Sequence, residues 1–267
     1  MSRKIQVLKA SGEREPFSER KVRAALGRVG ADEELTDKIV AQVRVELYDG
    51  IPTSEIYGKV FGLLRRHQPP KAVKYNIKQA IIDLGPSGYP FEKFIAGVLA
   101  HEGYKTKTNQ VVPGRCVPHE IDVVAKKDGR RCMIECKFHN KQGISSDIRD
   151  ALYVYARFLD VKESFDECWL VTNTKITSQV REYGECVGLK IISWDYPKGE
   201  NLFNIVDRSS LYPVTALGSI DGLQKRRLLE SGFVFCHSLY KKGLSFLPSK
   251  VRPVVEKEIA GLLREGD

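Results

Sequence analysis

Asp122, Glu135 and Lys137 are the residues of this chain whose types and spacing point most directly to a chemistry. They lie in the stretch HEIDVVAKKDGRRCMIECKFHN, residues 119–140, which reads as two strands joined at Asp128-Gly129. Asp and Gly both tolerate the positive φ of a two-residue hairpin turn. Side chains alternate across a strand. In the second arm this sends Cys132, Ile134, Cys136 and Phe138 towards a core, and Met133, Glu135 and Lys137 the other way. In the first arm Ile121, Val123 and Ala125 face the core, while Glu120 and Asp122 face away. Asp122, Glu135 and Lys137 are therefore expected on one face of neighbouring strands. Two carboxylates and an ammonium placed together can bind Mg²⁺ or Mn²⁺ and set a water against a phosphate. A sheet edge carrying solvated charges would show the same residues. His119 and His139 bracket the hairpin; either can move a proton, and a hydrogen-bonded scaffold role is the commoner one.

The elements around the hairpin must position these groups. Turn formers at 85–90, Gly-Pro-Ser-Gly-Tyr-Pro, mark a boundary. A helix is expected over 91–101, with Phe91, Phe94, Ile95, Val98 and Leu99 as its apolar face and Glu92 at its start, where the dipole suits a carboxylate. A strand follows over 104–112. After the hairpin come an amphipathic helix (145–159), an apolar strand (168–172), a helix (178–186) and a strand (190–194). That order predicts an α/β sheet with helices on both faces. Trp169 and Trp194 read as core aromatics. Lys126, Lys127, Arg130 and Arg131 form a basic hairpin tip, placed near the site and able to track phosphates, as a solvated turn would equally display.

The order Asp122 … Glu135-Cys136-Lys137 resembles the PD-(D/E)xK nuclease core, in its Mrr-like restriction endonuclease form, over residues 91–196. The resemblance implies a Mg²⁺-dependent deoxyribonuclease. Asp122 and Glu135 would hold the metal with the carbonyl of Cys136, and Lys137 would orient the attacking water or stabilise developing charge. It also makes Glu92 a further candidate near the metal. The helix at 145–159 would return a polar residue to the site, Tyr153 or Arg149, with Tyr155 assigned to packing.

Residues 1–85 read as a mostly helical module. A short strand at 5–8 precedes a helix opened by Ser18 and running to 29, a second over 35–47, a third starting at Thr53 or Ser54, and a fourth over 71–84. The residues Val7-Leu8-Lys9, Gly12, Glu15-Pro16-Phe17-Ser18, Lys21, Tyr48-Asp49-Gly50-Ile51 and Thr53-Ser54-Glu55-Ile56 are similar to the ATP-cone, a nucleotide-sensing domain. That resemblance implies phosphate contacts from Lys9 and Lys21, with Thr53 and Tyr57 near an ATP or dATP effector. A Gly-rich loop ending in Lys-Ser/Thr is absent, so binding and sensing are expected, not ATP hydrolysis. A small helical DNA-binding or docking domain with solvated lysines would share much of this pattern.

The tail, 207–267, is expected to be a small helical region. The stretch from Tyr212 to Phe233 resembles a helix-hairpin-helix loosely, with Gly218 and Gly222 spread apart; a helical cap on the nuclease is the other reading. The whole chain, 267 residues with 42% hydrophobic and 29% charged composition, can bury a proper core. Its net charge of +9 favours a polyanionic partner, though a soluble basic protein has the same sign. Six cysteines without CxxC spacing read as thiols of a cytoplasmic protein. The opening MSRKIQVLKASGERE is unlike a signal peptide, and no membrane span is expected. The sequence thus predicts a metal-dependent DNA endonuclease regulated by ATP or dATP, and by resemblance a homo-oligomer. A nucleotide-responsive DNA-binding protein with an inactive nuclease core is the alternative.

Overall fold

The computed structural model describes residues 5–264. Residues 1–4, which open both the expected 1–85 domain and the stretch compared with signal peptides, and 265–267, which end the expected 207–267 region, lie outside the described residues. The chain divides after Ile77 into two units.

In the first unit, β1 (Gln6–Leu8) pairs antiparallel with β2 (Arg14–Pro16) and parallel with β3 (Ile51–Pro52). The last two were not legible: strands of two or three residues leave no alternation to read. Helices α1 (Glu19–Arg28), α2 (Glu33–Val45), α3 (Thr53–His67) and α4 (Pro69–Ile82) complete the element list up to the division, which falls inside α4. Their apolar residues recur at three- and four-residue spacing, so each helix presents one stripe. Leu26, Ile39, Val43, Val60 and Leu64 meet Val7 and Ile51 of the strands in one core. Ser18 precedes α1 but its side chain makes no capping bond, a correction to the sequence reading. Asp32 does cap α2, its Oδ1 accepting from the Leu35 N–H at 2.8 Å.

In the second unit, α5 (Tyr89–His101) leads into β4 (Lys105–Val112), β5 (His119–Lys127) and β6 (Arg130–Lys137). These three strands form an antiparallel meander. Asp128 and Gly129 turn the β5–β6 hairpin with φ of 50° and 80°, the left-handed pair that such a turn demands. The chain continues through β7 (Ser145–Ser146), α6 (Ile148–Asp160), β8 (Glu167–Thr172), β9 (Lys175–Ile176), α7 (Ser178–Val187) and β10 (Lys190–Ile192). The sheet order is β10-β8-β6-β5-β4, with β6, β8 and β10 parallel. β7 and β9 form a separate two-stranded ribbon. The α6 N-terminus is fixed by a capping box between Asp147 and Asp150.

One face expectation needs correcting. Alternation puts Met133 on the face away from the core, yet it is buried, as are Cys132 and Ile134 on either side. β6 is an interior strand covered from both sides. Val154 and Phe158 of α6 share a core with Met133. On the opposite face Phe91 of α5 meets Phe138, ring centroids 5.4 Å apart. Alternation therefore selects the face at 135–137 correctly, but does not make that face solvent along the whole strand.

The tail helices α8 (Leu202–Ser209), α9 (Gly222–Glu230), α10 (Cys236–Lys242) and α11 (Arg252–Arg264) belong to the second unit. Phe235 stacks on Phe94 of α5 at 5.4 Å. Gly97 allows this approach, since a Cβ there would lie 2.4 Å from the Phe235 ring. Between Tyr212 and Leu217 the chain makes one buried 3-10 turn, Val214–Ala216, in place of a full first helix. No helix among the described residues is long and apolar enough to cross a membrane.

Candidate active site

The β5–β6 ladder runs in register from Lys127↔Arg130 to Val123↔Ile134 and stops there. The next positions on the two strands are Asp122 and Glu135. In place of a further ladder bond, the Cys136 N–H donates to Asp122 Oδ2 at 2.8 Å. On the other side of β5, pairing with β4 skips Asn109, between Thr108↔Val123 and Gln110↔Ile121. Asn109 has a φ of 51°, a left-handed conformation uncommon outside glycine and best tolerated by Asn and Asp. Its side-chain amide donates to Glu92 Oε2 at 3.0 Å and to Glu120 Oε1 at 3.4 Å. The sheet is thus irregular on both sides of Asp122, and the irregularity orients side chains instead of continuing the ladder.

Three carboxylates gather at this break. Glu135 is largely buried, and burial together with neighbouring Asp122 pushes its carboxyl up to about 7, against the pull of Arg157. Burial raises Asp122 as well, opposed by the Cys136 N–H. Glu92, from the first turn of α5, is raised by burial and then by Asp122. Burial leads in all three, and the nearby carboxylates add to it: Asp122 and Glu92 on Glu135, Asp122 and Glu120 on Glu92, and Glu120 on Asp122. The positive charge present is Arg157 of α6: its Nη1 donates to Glu135 Oε2 and its Nη2 to the Glu120 carbonyl.

Lys137 lies at the end of β6 on the α6 side, with its Nζ 3.0 Å from Asp150 Oδ1. Asp150 and Arg157 are seven residues apart, two helical turns, and so share a face of α6. They meet Lys137 and Glu135, two apart on the strand and therefore also on one face. α6 thus answers the acid and the base of β6 with a base and an acid. Cys136 contributes its peptide N–H to Asp122, and burial pushes its thiol well up.

Other expected residues fall elsewhere. Arg149 is exposed and paired with Asp147 at 2.6 Å, and Tyr153 is exposed with the Arg157 guanidinium over its ring at 5.2 Å. The helix does return a polar residue to the site, but it is Arg157. The signal was a lone cation beside Val154 and Phe158 in the buried stripe of α6. Asn109 carried no sequence signal, because its role rests on a backbone irregularity. His119 bonds Asp160 at 2.8 Å and His139 lies 3.2 Å from Ser146 Oγ, both scaffold contacts. The basic tip is not near the acids: five residues of β5 separate Lys127 from Asp122, roughly 16 Å of strand. Its cations are engaged locally, Arg130 with Glu167 and Lys127 with the Glu102 carbonyl.

In the first unit, register places Lys9 and Thr53 together, each one residue beyond the Leu8↔Pro52 pair. Lys9 Nζ is 2.9 Å and Lys21 Nζ 2.7 Å from opposite oxygens of Glu15, whose carboxyl is lowered first by Lys21 and then by Lys9. Thr53 begins α3. Tyr57, one turn on, donates to Asn76 Oδ1 at 2.6 Å and stacks on Tyr75 at 4.9 Å. Two ammonium groups lie on one carboxylate beside the strand end that leads into the N-terminus of α3.

A mixed sheet with an antiparallel meander, acids at a ladder break and flanking helices defines a restriction-endonuclease-like domain. Sequence comparison agrees: residues 85–202 match the family described as restriction endonuclease, and residues 5–78 match the ATP cone domain. An uncharacterized protein of Archaeoglobus fulgidus is 44% identical over 150 residues, covering 56% of this chain and 85% of that protein. The crystal structure of AF1548, a protein of unknown function, superposes with a TM-score of 0.58 at 39% identity, covering 67% of this chain and all of that one. The chain carries an ATP cone domain followed by a restriction endonuclease domain.

Whether these residues suit a divalent ion is a question of donor chemistry. No group of three His, Cys, Asp or Glu among the described residues is arranged ready to hold a metal. Asp122, Glu135 and Glu92 nevertheless offer only oxygen donors, which suit a hard cation such as Mg²⁺ or Mn²⁺. Burial raises all three, and Asp122 adds to the elevation of Glu135 and Glu92. The set matches such an ion in donor type, and holding it would require the three carboxylates to close up from their present arrangement.

Proposed function

We propose that the chain is a metal-dependent DNA endonuclease whose activity responds to ATP or dATP at its cone. The observation that carries this reading is the gathering of Asp122, Glu135 and Glu92 at a break in the sheet, beside Lys137. Asp122 and Glu135 would hold Mg²⁺ or Mn²⁺, with the Cys136 carbonyl and Glu92 completing its surroundings. Such an ion supplies positive charge against a phosphate oxygen and acidifies a water. The Cys136 N–H keeps Asp122 aimed into the site. Lys137, released from Asp150, orients the attacking water or stabilises the charge gathering on phosphorus. Lys9 and Lys21 would take a nucleotide's phosphates in exchange for Glu15, with Thr53 and Tyr57 beside the nucleotide, and the effector would act by changing self-association. The net charge of +9 suits a DNA substrate.

The direct experiment is cleavage of linear, nicked, branched and modified DNA with Mg²⁺ or Mn²⁺, with and without ATP and dATP. Metal-dependent cutting that Asp122→Asn abolishes is the expected result. The absence of cutting on every substrate would favour the second reading, a nucleotide-responsive DNA-binding protein with an inactive core. One observation favours that reading: Glu135 and Lys137 are already neutralised by Arg157 and Asp150.

A further inference from the structure

Arg157 is paired with Glu135, a carboxylate that a divalent cation at this site would draw on. Its guanidinium bonds Glu135 and the Glu120 carbonyl, with 11% of its side chain and 16% of that of Glu135 exposed. It is held over the Tyr153 ring and by a helix whose neighbouring residues, Val154 and Phe158, are buried. An ion drawing on both oxygens of Glu135 must break or share this pair, so the arginine and the metal compete for one carboxylate. The guanidinium has a better alternative partner once DNA arrives. Its planar fork matches a phosphodiester with two parallel hydrogen bonds, and it holds such anions more strongly than a lysine does.

We propose that Arg157 is an exchangeable counter-ion: it holds Glu135 in the DNA-free protein and passes to a backbone phosphate when DNA binds, so that metal loading is conditional on substrate. This rests on the endonuclease reading and adds a positioning residue that links metal and DNA binding. By linkage, the two ligands then strengthen one another's binding by equal factors. The charge geometry agrees. One guanidinium serves Glu135 while Asp122 and Glu92 lie close by, so replacing it with a doubly charged ion relieves more repulsion once the guanidinium has a phosphate partner.

The test is Mn²⁺ binding to the full chain, followed by electron paramagnetic resonance of the unbound ion, for the wild type, Arg157→Met, Arg157→Lys and Glu135→Gln. Circular dichroism on each variant verifies folding, and Arg157→Lys keeps a cation in place should the Met variant fail to fold. In the absence of DNA, Arg157→Met is expected to bind Mn²⁺ about 5- to 100-fold more tightly than wild type. Arg157→Lys should bind it less tightly than Arg157→Met and, lacking the fork, should couple less to DNA. A short duplex with phosphorothioate linkages should strengthen Mn²⁺ binding by wild type and leave Arg157→Met unchanged. A merely structural arginine would give the opposite sign, weaker Mn²⁺ binding on removal. If Arg157→Met binds Mn²⁺ no more tightly than wild type while Glu135→Gln still weakens binding, the counter-ion proposal is overturned and the metal site stands. If Glu135→Gln leaves Mn²⁺ binding unaltered in both the wild-type and the Arg157→Met background, the endonuclease reading fails and takes the proposal with it.

Discussion

The two candidate sites are built on the same device with the charges reversed. In the cone, two lysines share one carboxylate, Glu15; in the nuclease domain, one guanidinium, Arg157, is paired with Glu135 among nearby carboxylates. Each internal partner has the charge of the ligand that would replace it, a phosphate in one case and a divalent ion in the other. The difference is burial. Lys21 has 63% of its side chain exposed, so its pair with Glu15 is screened and opens readily. Glu135 and Arg157 are largely shielded from water, where charges interact strongly and separating them is expensive. A sensor that follows nucleotide levels benefits from the first arrangement. A hydrolytic centre that should act only on a bound substrate benefits from the second.

Mutations can break or sharpen this contrast. The largest effect is expected at the buried site: Asp122→Asn should lower DNA cleavage by about a thousandfold or more while leaving the fold intact, measured by cleavage rate and circular dichroism. Next is a pH effect in the chelated protein. Because the folded carboxyl of Glu135 titrates near 7, well above its ordinary value of 4.5, its contribution to stability is fully present below about 4.5. That contribution is lost as pH rises through 7, on the order of 2 kcal/mol across the window. Thermal melts from pH 4.5 to 8 should show this slope, and Glu135→Gln should flatten it. At the exposed site, Lys21→Ala should weaken ATP binding about tenfold, read by calorimetry. The smallest effect is expected from Glu15→Gln: no measurable change in melting temperature, with nucleotide binding equal to or tighter than wild type. A large loss of stability there would mean that the two sites do not differ as described.

The sequence made the β5–β6 hairpin readable because a two-residue turn and strict alternation fix both register and face. The shared face of Asp122, Glu135 and Lys137 follows from that arithmetic, whereas Glu92 came in only through the family resemblance. Lys9 and Lys21 were singled out by the resemblance to the ATP-cone, but their shared bond to Glu15 was not legible, since it depends on β2, a strand too short to recognise. Arg157 was hidden for a different reason. Its function comes from the crossing of α6 over β6, a tertiary fact, and helical periodicity marks it only as a charge in an apolar stripe. Asn109 owes its position to a local left-handed backbone that no pattern of residue types announces. Met133 shows the limit of alternation itself: in the middle of an interior strand both faces are core, and the side chains become less buried only towards its two ends.

The central claim, that Asp122 and Glu135 jointly hold a catalytic divalent ion, is tested most directly by DNA cleavage as a function of Mg²⁺ and Mn²⁺ in wild type, Asp122→Asn and Glu135→Gln. The account predicts cutting by the wild type that chelation stops and added metal restores, and cutting reduced about a thousandfold or more in either variant at every metal concentration. Cleavage that persists in both variants, or that ignores chelation, would contradict it.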